Sequence, residues 1–400
     1  MTILIASILS LLVLLNIFVC WRMYALLGAV RRPRIWRVIV LLLTFSALAF
    51  CAVVAIFLPI LGSTRNPLPH WLVSSLYIWH FLLLPLMFLA LLIDLAVRGF
   101  RKLPRLFKPA SQQTAPAESL PSPMFSRRNF LTSLGVTAVP VAAVSLAGIA
   151  KSQLGKFRIQ PYDLSLAGWP RELDGYTITV IADVHTGVYT TQKMLDDIVQ
   201  ATNRLKADLI LLAGDLINIS LSDLPNALDM VLSLSARDGV FMIQGNHDVI
   251  QGPDHFDHNV RRRGVNLLVD DAVTITPAGG VPFQLLGTRW TSDQWRDETV
   301  AYTAGLRDPS LFAIMLAHHP HSWDVAADAG IPLVISGHTH GGQIMLTDRI
   351  GGGPLRFKYW SGRYDKPKST LIVSNGVGNW FPLRINAPAE ILHITMHAKI

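Results

Sequence analysis

The chain has 400 residues, 51% of them hydrophobic and 16% charged, a composition that points to membrane segments and leaves length for more than one structural unit. Its formal net charge of +8 is unevenly spread: residues 1–150 hold 13 Lys/Arg against 2 Asp/Glu, and residues 151–400 hold 22 against 25. The basic excess belongs to the N-terminal part, so no nucleic-acid partner is implied.

Three long apolar runs lie near 2–20, 38–62 and 71–97. Each has the roughly 20 residues that a helix needs to cross a bilayer. Arg22, Arg31, Arg32, Arg34 and Arg37 separate the first run from the second, and only Arg65 lies between the second and third. Arg98, Arg101, Lys102, Arg105 and Lys108 follow the third. Residues 1–108 are therefore expected to form an α-helical membrane region of three transmembrane helices, with the first and third connections cytoplasmic. Cys20 and Cys51, the only cysteines, fall in these runs and read as packing residues, so no disulfide is expected beyond them.

Residues 109–125 begin "PASQQTAPAESLPSP" and read as a flexible linker. Next, "SRRNFL" and an apolar stretch fill 126–150. Paired Arg127 and Arg128, then Phe130 and Leu131, resemble a twin-arginine export signal, which makes the export machinery a candidate partner. A fourth membrane helix is the other reading. Either one starts inside and ends outside, and the absence of a clear cleavage site favours a retained anchor.

From residue 151 the pattern becomes an α/β alternation. "TITVIADVHTG" (177–187), "ADLILLAGD" (207–215), "GVFMIQGNHD" (239–248), "LFAIMLAHHP" (311–320) and "IPLVISGHTH" (331–340) are apolar strands ending in Asp, Asn or His. Helical patterns intervene near 191–205, 222–235 and 322–329. Such alternation predicts functional groups at the carboxyl ends of strands. "STLIVSNG" (369–376) and "EILHITMH" (390–397) add strands without helices and suggest a second, mixed sheet.

The five strand ends present Asp183 and His185, Asp215, Asn246 and His247, His318, then His338 and His340. In extended chain, residues i and i+2 face the same way, so each D-x-H or H-x-H pair can address one target. Singly, each residue has a plain structural account: a strand terminator, a turn former, a core histidine. Together they form an oxygen and nitrogen donor set without thiolate, suited to borderline divalent metals. The set exceeds the four ligands of a structural zinc site, which favours two metals sharing a carboxylate.

The series D-x-H (183–185), G-D (214–215), G-N-H-D (245–248), His318 and G-H-T-H (337–340) resembles the calcineurin-like metallophosphoesterase superfamily. "GHTHGGQ", "SNGVG" and "PLRINAPAEI" resemble its membrane-anchored bacterial branch. The resemblance covers about 177–400 and implies a four-layer α/β/β/α sandwich for the 151–400 domain. It further implies that two divalent ions (Mn, Zn, Fe or Mg) are bound. Asp183, His185 and His340 would hold one, Asn246, His318 and His338 the other. Asp215 would bridge them and His247 would face the substrate as the catalytic residue. His318 rather than the adjacent His319 is taken as the ligand. "GDLINIS" lacks the Asp-Arg that follows in protein serine/threonine phosphatases, so that activity is discounted.

The implied function is hydrolysis of a phosphate ester, with a metal-bridging hydroxide as nucleophile. The expected location is the outer face of a bacterial cytoplasmic membrane, where the chain would be multi-pass with its catalytic domain outside. The bilayer would be a partner and a phospholipid or lipid-linked phosphate a candidate substrate. The alternatives are a phosphodiesterase on soluble nucleotides and a non-catalytic metal-binding membrane sensor. A transporter is disfavoured because the apolar runs carry few ionisable residues. Arg384 is a candidate phosphate clamp with surface solvation favoured; Arg261, Arg262 and Arg263 read as solvated, as do His255 and His258. His319 and His321 are candidates to line the cleft.

Overall fold

A computed structural model describes residues 152–399 apart from 279, 348 and 381–383. It also describes the N-terminal positions 10–11, 13–19, 21, 79–80, 84–85, 87–89, 91–93, 95–96, 99 and 148. The chain divides into two compact units, one spanning Met1–Ile60 and Leu68–Gly148, the other Leu61–Pro67 and Ile149–Ile400.

In the first unit the described residues are helical. Phe18 packs edge-on to Phe88 at 5.1 Å, and Trp79 Nε1 donates to Asn16 Oδ1 at 3.2 Å. Among the described residues no helix is long and apolar enough to cross a membrane. This overturns the multi-pass expectation and the external placement of the catalytic domain that depended on it. The run at 38–62, the 109–125 linker and the 126–150 segment, except Gly148, lie outside the described residues.

The second unit holds two six-stranded sheets. In the first, β1 (Phe157–Leu166), β12 (Ala389–Ala398), β2 (Tyr176–Ile181), β3 (Leu209–Leu212), β4 (Val240–Met242) and β5 (Asn266–Leu267) lie side by side in that order. In the second the order is β10 (Gly362–Lys366), β11 (Ser369–Val373), β9 (Leu333–Ser336), β8 (Ala313–Leu316), β7 (Phe283–Gly287) and β6 (Asp271–Ile275). Strands β2 to β5 are mutually parallel, as are β7, β8, β9 and β11. Antiparallel edges complete both sheets. The two late strands do not share a sheet: β11 joins the second, while β12 inserts between β1 and β2 of the first.

Burial explains the continuous apolar strands, because each sheet is covered on both faces. Ile178, Val180, Leu209 and Leu211 meet Leu285, Ile314, Leu316, Leu333 and Ile335 in one core. The alternate residues Ile181, Ile210 and Leu212 pack with helices α1 (Gln192–Arg204), α2 (Leu224–Leu232) and α3 (Pro253–Arg262). In the second sheet Leu286, Met315 and Val334 pack with Val300 and Ala304 of α4 (Asp293–Gly305) and Trp323 and Ala326 of α5 (Ser322–Asp328). A short α6 (Gly352–Arg356) precedes β10. The order of layers is therefore helix, sheet, sheet, helix. The carboxyl ends of β2, β3, β4, β8 and β9 are left to carry the site.

Candidate metal centre

All seven predicted donors come together at these strand ends. Their convergence is not the strand alternation expected from i, i+2 spacing. Asp183, His185, Asp215, His338 and His340 have φ of 52°, 47°, 55°, 73° and 50°, the left-handed region that Asp, Asn and His visit more readily than most residues. Between two of them, Thr339 is right-handed at φ −87°. The chain thus coils tightly as it leaves β2 and β9, and that coil brings both members of each pair inward. Each left-handed residue costs on the order of 1–3 kcal/mol, the kind of strain kept where the surrounding structure enforces it. Two glycines give the carboxylates room: a Cβ on Gly337 would collide with Asp183 Oδ2, and one on Gly245 with Asp215 Oδ1.

Three overlapping groups could each hold a cation: Asp183, His185 and His340; His185, Asp215 and His247; Asp215, His318 and His338. His185 Nε2 lies 3.0 Å from His340 Nε2 and 3.5 Å from Asp215 Oδ2, and His340 Nε2 is 3.4 Å from Asp183 Oδ1. On the other side His318 Nε2 is 3.1 Å from Asp215 Oδ2 and 3.2 Å from Asn246 Oδ1. His338 Nδ1 lies 2.8 Å from the same Asn246 oxygen. Asp215 is therefore common to both sides.

The tautomers are set by bonds behind the site. His318 Nδ1 donates to the Ala213 carbonyl at 2.7 Å, which turns Nε2 toward Asp215 and Asn246, the arrangement in which metal-ligating imidazoles are held. His247 Nδ1 donates to the Asn218 carbonyl, and the His247 amide donates to Asp215 Oδ1 at 2.8 Å. The neighbouring His319 is differently engaged, because its Nδ1 accepts the His321 amide at 3.2 Å. Burial lowers the pKa of His185, His338 and His340 well below the usual histidine range. Burial also raises that of Asp183, with Asp215 adding to the rise. His318 is raised to about 9: burial opposes its charge, but the Asp215 carboxylate outweighs it. The neutral imidazoles of His185, His338 and His340 thus converge with His318 and two carboxylates away from water, an O/N set without thiolate. This donor set fits divalent metal.

Several residues behave otherwise than their sequence suggests. Arg384 is fully buried, not solvated. Its guanidinium donates to the carbonyls of Asn375 (2.9 Å), Gly378 (2.8 Å) and Ala387 (3.0 Å) and to Asn379 Oδ1 (2.9 Å), and approaches His340 Nδ1 at 2.9 Å. Burial lowers its pKa to about 10, with Asp183 and Glu390 opposing. With its donors so occupied it cannot clamp phosphate; it organises the loop behind His340. Arg384→Met strands several buried carbonyls, each costing about 1–3 kcal/mol. We expect a loss of about 3 kcal/mol or more, which lowers the melting temperature by roughly 6 °C or more for a domain of this size. A shift under about 2 °C would reject this role.

Asp248 went unassigned in the sequence. It is buried and accepts the amides of Gly245 at 2.8 Å and Ile217 at 3.0 Å, joining the two loops that carry Asn246 and Asp215. Aromatic neighbours went unassigned too. The Trp290 ring is 5.2 Å from His338 and 5.5 Å from His318, and Trp380 is 6.0 Å from His247. His255, His258 and Arg261–Arg263 are exposed on and just after α3, as expected.

Residues 176–342 match the family of calcineurin-like phosphoesterases. An uncharacterised metallophosphoesterase of Helicobacter pylori is 28% identical over 228 residues, 56% of this chain and 60% of that protein. Phosphodiesterase YaeI of Escherichia coli is 28% identical over 277 residues, 67% of this chain and 98% of that protein. A Danio rerio protein named as a transmembrane protein with metallophosphoesterase domain is 27% identical over 383 residues, 91% of this chain and 80% of that one. The chain spans about six tenths of the length of the Helicobacter and Campylobacter relatives it matches.

Proposed function

We propose that this chain, through the calcineurin-like metallophosphoesterase domain at 176–342, is a hydrolase of phosphoric esters that works with two divalent cations. The observation that carries this reading is the overlap of three O/N donor groups around Asp215, whose Oδ2 lies 3.5 Å from His185 Nε2 and 3.1 Å from His318 Nε2. Asp183, His185 and His340 are one ligand set, Asn246, His318 and His338 the other, and Asp215 belongs to both. Cations bound there supply Lewis acidity toward a phosphoryl oxygen and acidify water.

The chain's own residues do the rest. Backbone acceptors behind His318 and His247 fix their Nδ1 protons, which turns His318 Nε2 toward Asp215 and Asn246 and leaves His247 Nε2 to act. When protonated, His247 Nε2 delivers a proton to the leaving oxygen, a task suited to an imidazole near neutrality. Asp215 Oδ1 holds the His247 amide, which couples the position of the proton donor to that of the shared ligand. Burial of Asp183, His185, Asp215 and His340 keeps bulk water from screening these charges.

A phosphodiester is the favoured substrate class, because the Escherichia coli relative carries the name phosphodiesterase and is matched over 98% of its length. A lipid-linked substrate has lost its basis, which was the membrane topology. The test is an assay of the full chain, loaded with Mn²⁺, on bis(p-nitrophenyl) phosphate and p-nitrophenyl phosphate. Hydrolysis of the diester with a higher kcat/KM than the monoester is expected. Failure on both esters with metal bound would replace the hydrolase reading with a non-catalytic metal-binding role.

A further inference from the structure

We infer that His319 is a substrate-binding residue, offering its Nε2–H to an anionic phosphoryl oxygen on the Asn246/His318/His338 side of the centre. The inference rests on the hydrolase reading above and extends it to a residue outside the ligand set.

The proton is placed by a hydrogen bond. His319 follows the ligand His318 in the turn after β8, and its Nδ1 accepts the His321 amide at 3.2 Å. An imidazole nitrogen that accepts carries no proton, so the ring proton sits on Nε2. That nitrogen is a donor. Only 9% of His319 is exposed, and among the described residues no hydrogen bond uses its Nε2.

Its surroundings supply few competing acceptors. The ring packs at 4.7 Å from His338, 4.7 Å from His321, 6.0 Å from Trp290 and 6.2 Å from Phe357. Lys358 donates its amide to His321 Nε2 at 3.0 Å, so that nitrogen is already engaged. Trp290 also flanks His318 and His338, placing His319 and the second ligand set along one aromatic wall. An N–H in such poorly hydrated surroundings favours a charged oxygen, since hydrogen bonds to ions are about twice as strong as neutral ones.

Two substitutions separate the donor from the turn. In His319→Asn the side-chain oxygen takes the place of Nδ1 and keeps the acceptor for His321, while the Nε2–H is lost. In His319→Gln an amide N–H reaches toward the Nε2 position, while the acceptor is lost. With the Mn²⁺-loaded full chain and bis(p-nitrophenyl) phosphate, His319→Asn is expected to raise KM about tenfold with kcat within about threefold. It should weaken calorimetric binding of inorganic phosphate by a similar factor. Metal content and melting temperature should stay at wild-type values, and His319→Gln should recover KM to within about threefold. Unchanged KM and phosphate affinity in His319→Asn would overturn the inference, as would weakening seen only together with loss of metal. If the wild type hydrolyses neither ester, the hydrolase reading fails alone, because phosphate titration of the two variants still decides the role of His319.

Discussion

Asp215→Ala should reduce the metal content of the full-length protein from about two divalent ions per chain to less than one. The expectation follows from how Asp215 is shared. Its Oδ2 lies 3.1 Å from His318 Nε2 and 3.5 Å from His185 Nε2, so removing one carboxylate takes a donor from both ligand sets. It also removes the one negative charge that both sets face at contact distance, leaving three or fewer donors on each side for an ion that prefers four or more. The carboxylate has a second task, accepting the His247 amide through Oδ1. Asp215→Asn keeps that acceptor while losing the charge, and separates lost ligation from a disordered loop. If both variants fold by circular dichroism and Asp215→Asn also loses more than one ion, ligation is the cause. Elemental analysis finding a single tightly bound ion, unchanged in either variant, would defeat the two-metal arrangement.

The parts of this site that the sequence made legible are those governed by local pattern. Apolar β-branched runs ending in Asp, Asn or His give strands at β2, β3, β4, β8 and β9, and the candidate donors follow at their carboxyl ends. What local pattern cannot carry is long-range or conformational. Nothing in "EILHITMH" says that it will pair parallel with Phe157–Leu166 on one side and antiparallel with Tyr176–Ile181 on the other, since pairing across more than 200 residues depends on the whole core. The left-handed φ at His338 and His340 replaces the extended geometry that i, i+2 spacing suggested. Arg384 shows the same limit. A lone arginine in a polar loop reads as solvated, and it is buried only because the carbonyls of Asn375, Gly376, Gly378 and Ala387 fold around it. The N-terminal apolar runs erred in the other direction. Length and hydropathy suffice to suggest a span, but among the described residues no helix is long and apolar enough to cross a membrane.

His247→Ala should keep both metal ions yet lower kcat by about 10²–10⁴, the usual contribution of a positioned proton donor. The geometry sets His247 apart from the other imidazoles. Its Nδ1 proton is committed to the Asn218 carbonyl, so Nε2 is the nitrogen left to work, and its ring stands edge-on to His185 at 4.5 Å with Trp380 at 6.0 Å on another side. A donor of this kind matters in proportion to the basicity of the leaving oxygen. The deficit should therefore shrink toward about tenfold on p-nitrophenyl esters and reach its full size on alkyl esters, whose leaving alkoxide needs the proton. His247 also belongs to a group with His185 and Asp215 that could hold a cation, and this gives the experiment its second reading. If His247→Ala loses metal in step with activity, and loses the same factor on every leaving group, then His247 is a ligand and the proton must come from elsewhere. A leaving-group-dependent loss at full metal content is the outcome that places the imidazole on the substrate side, with Asp215 holding its amide and Asn218 its second nitrogen.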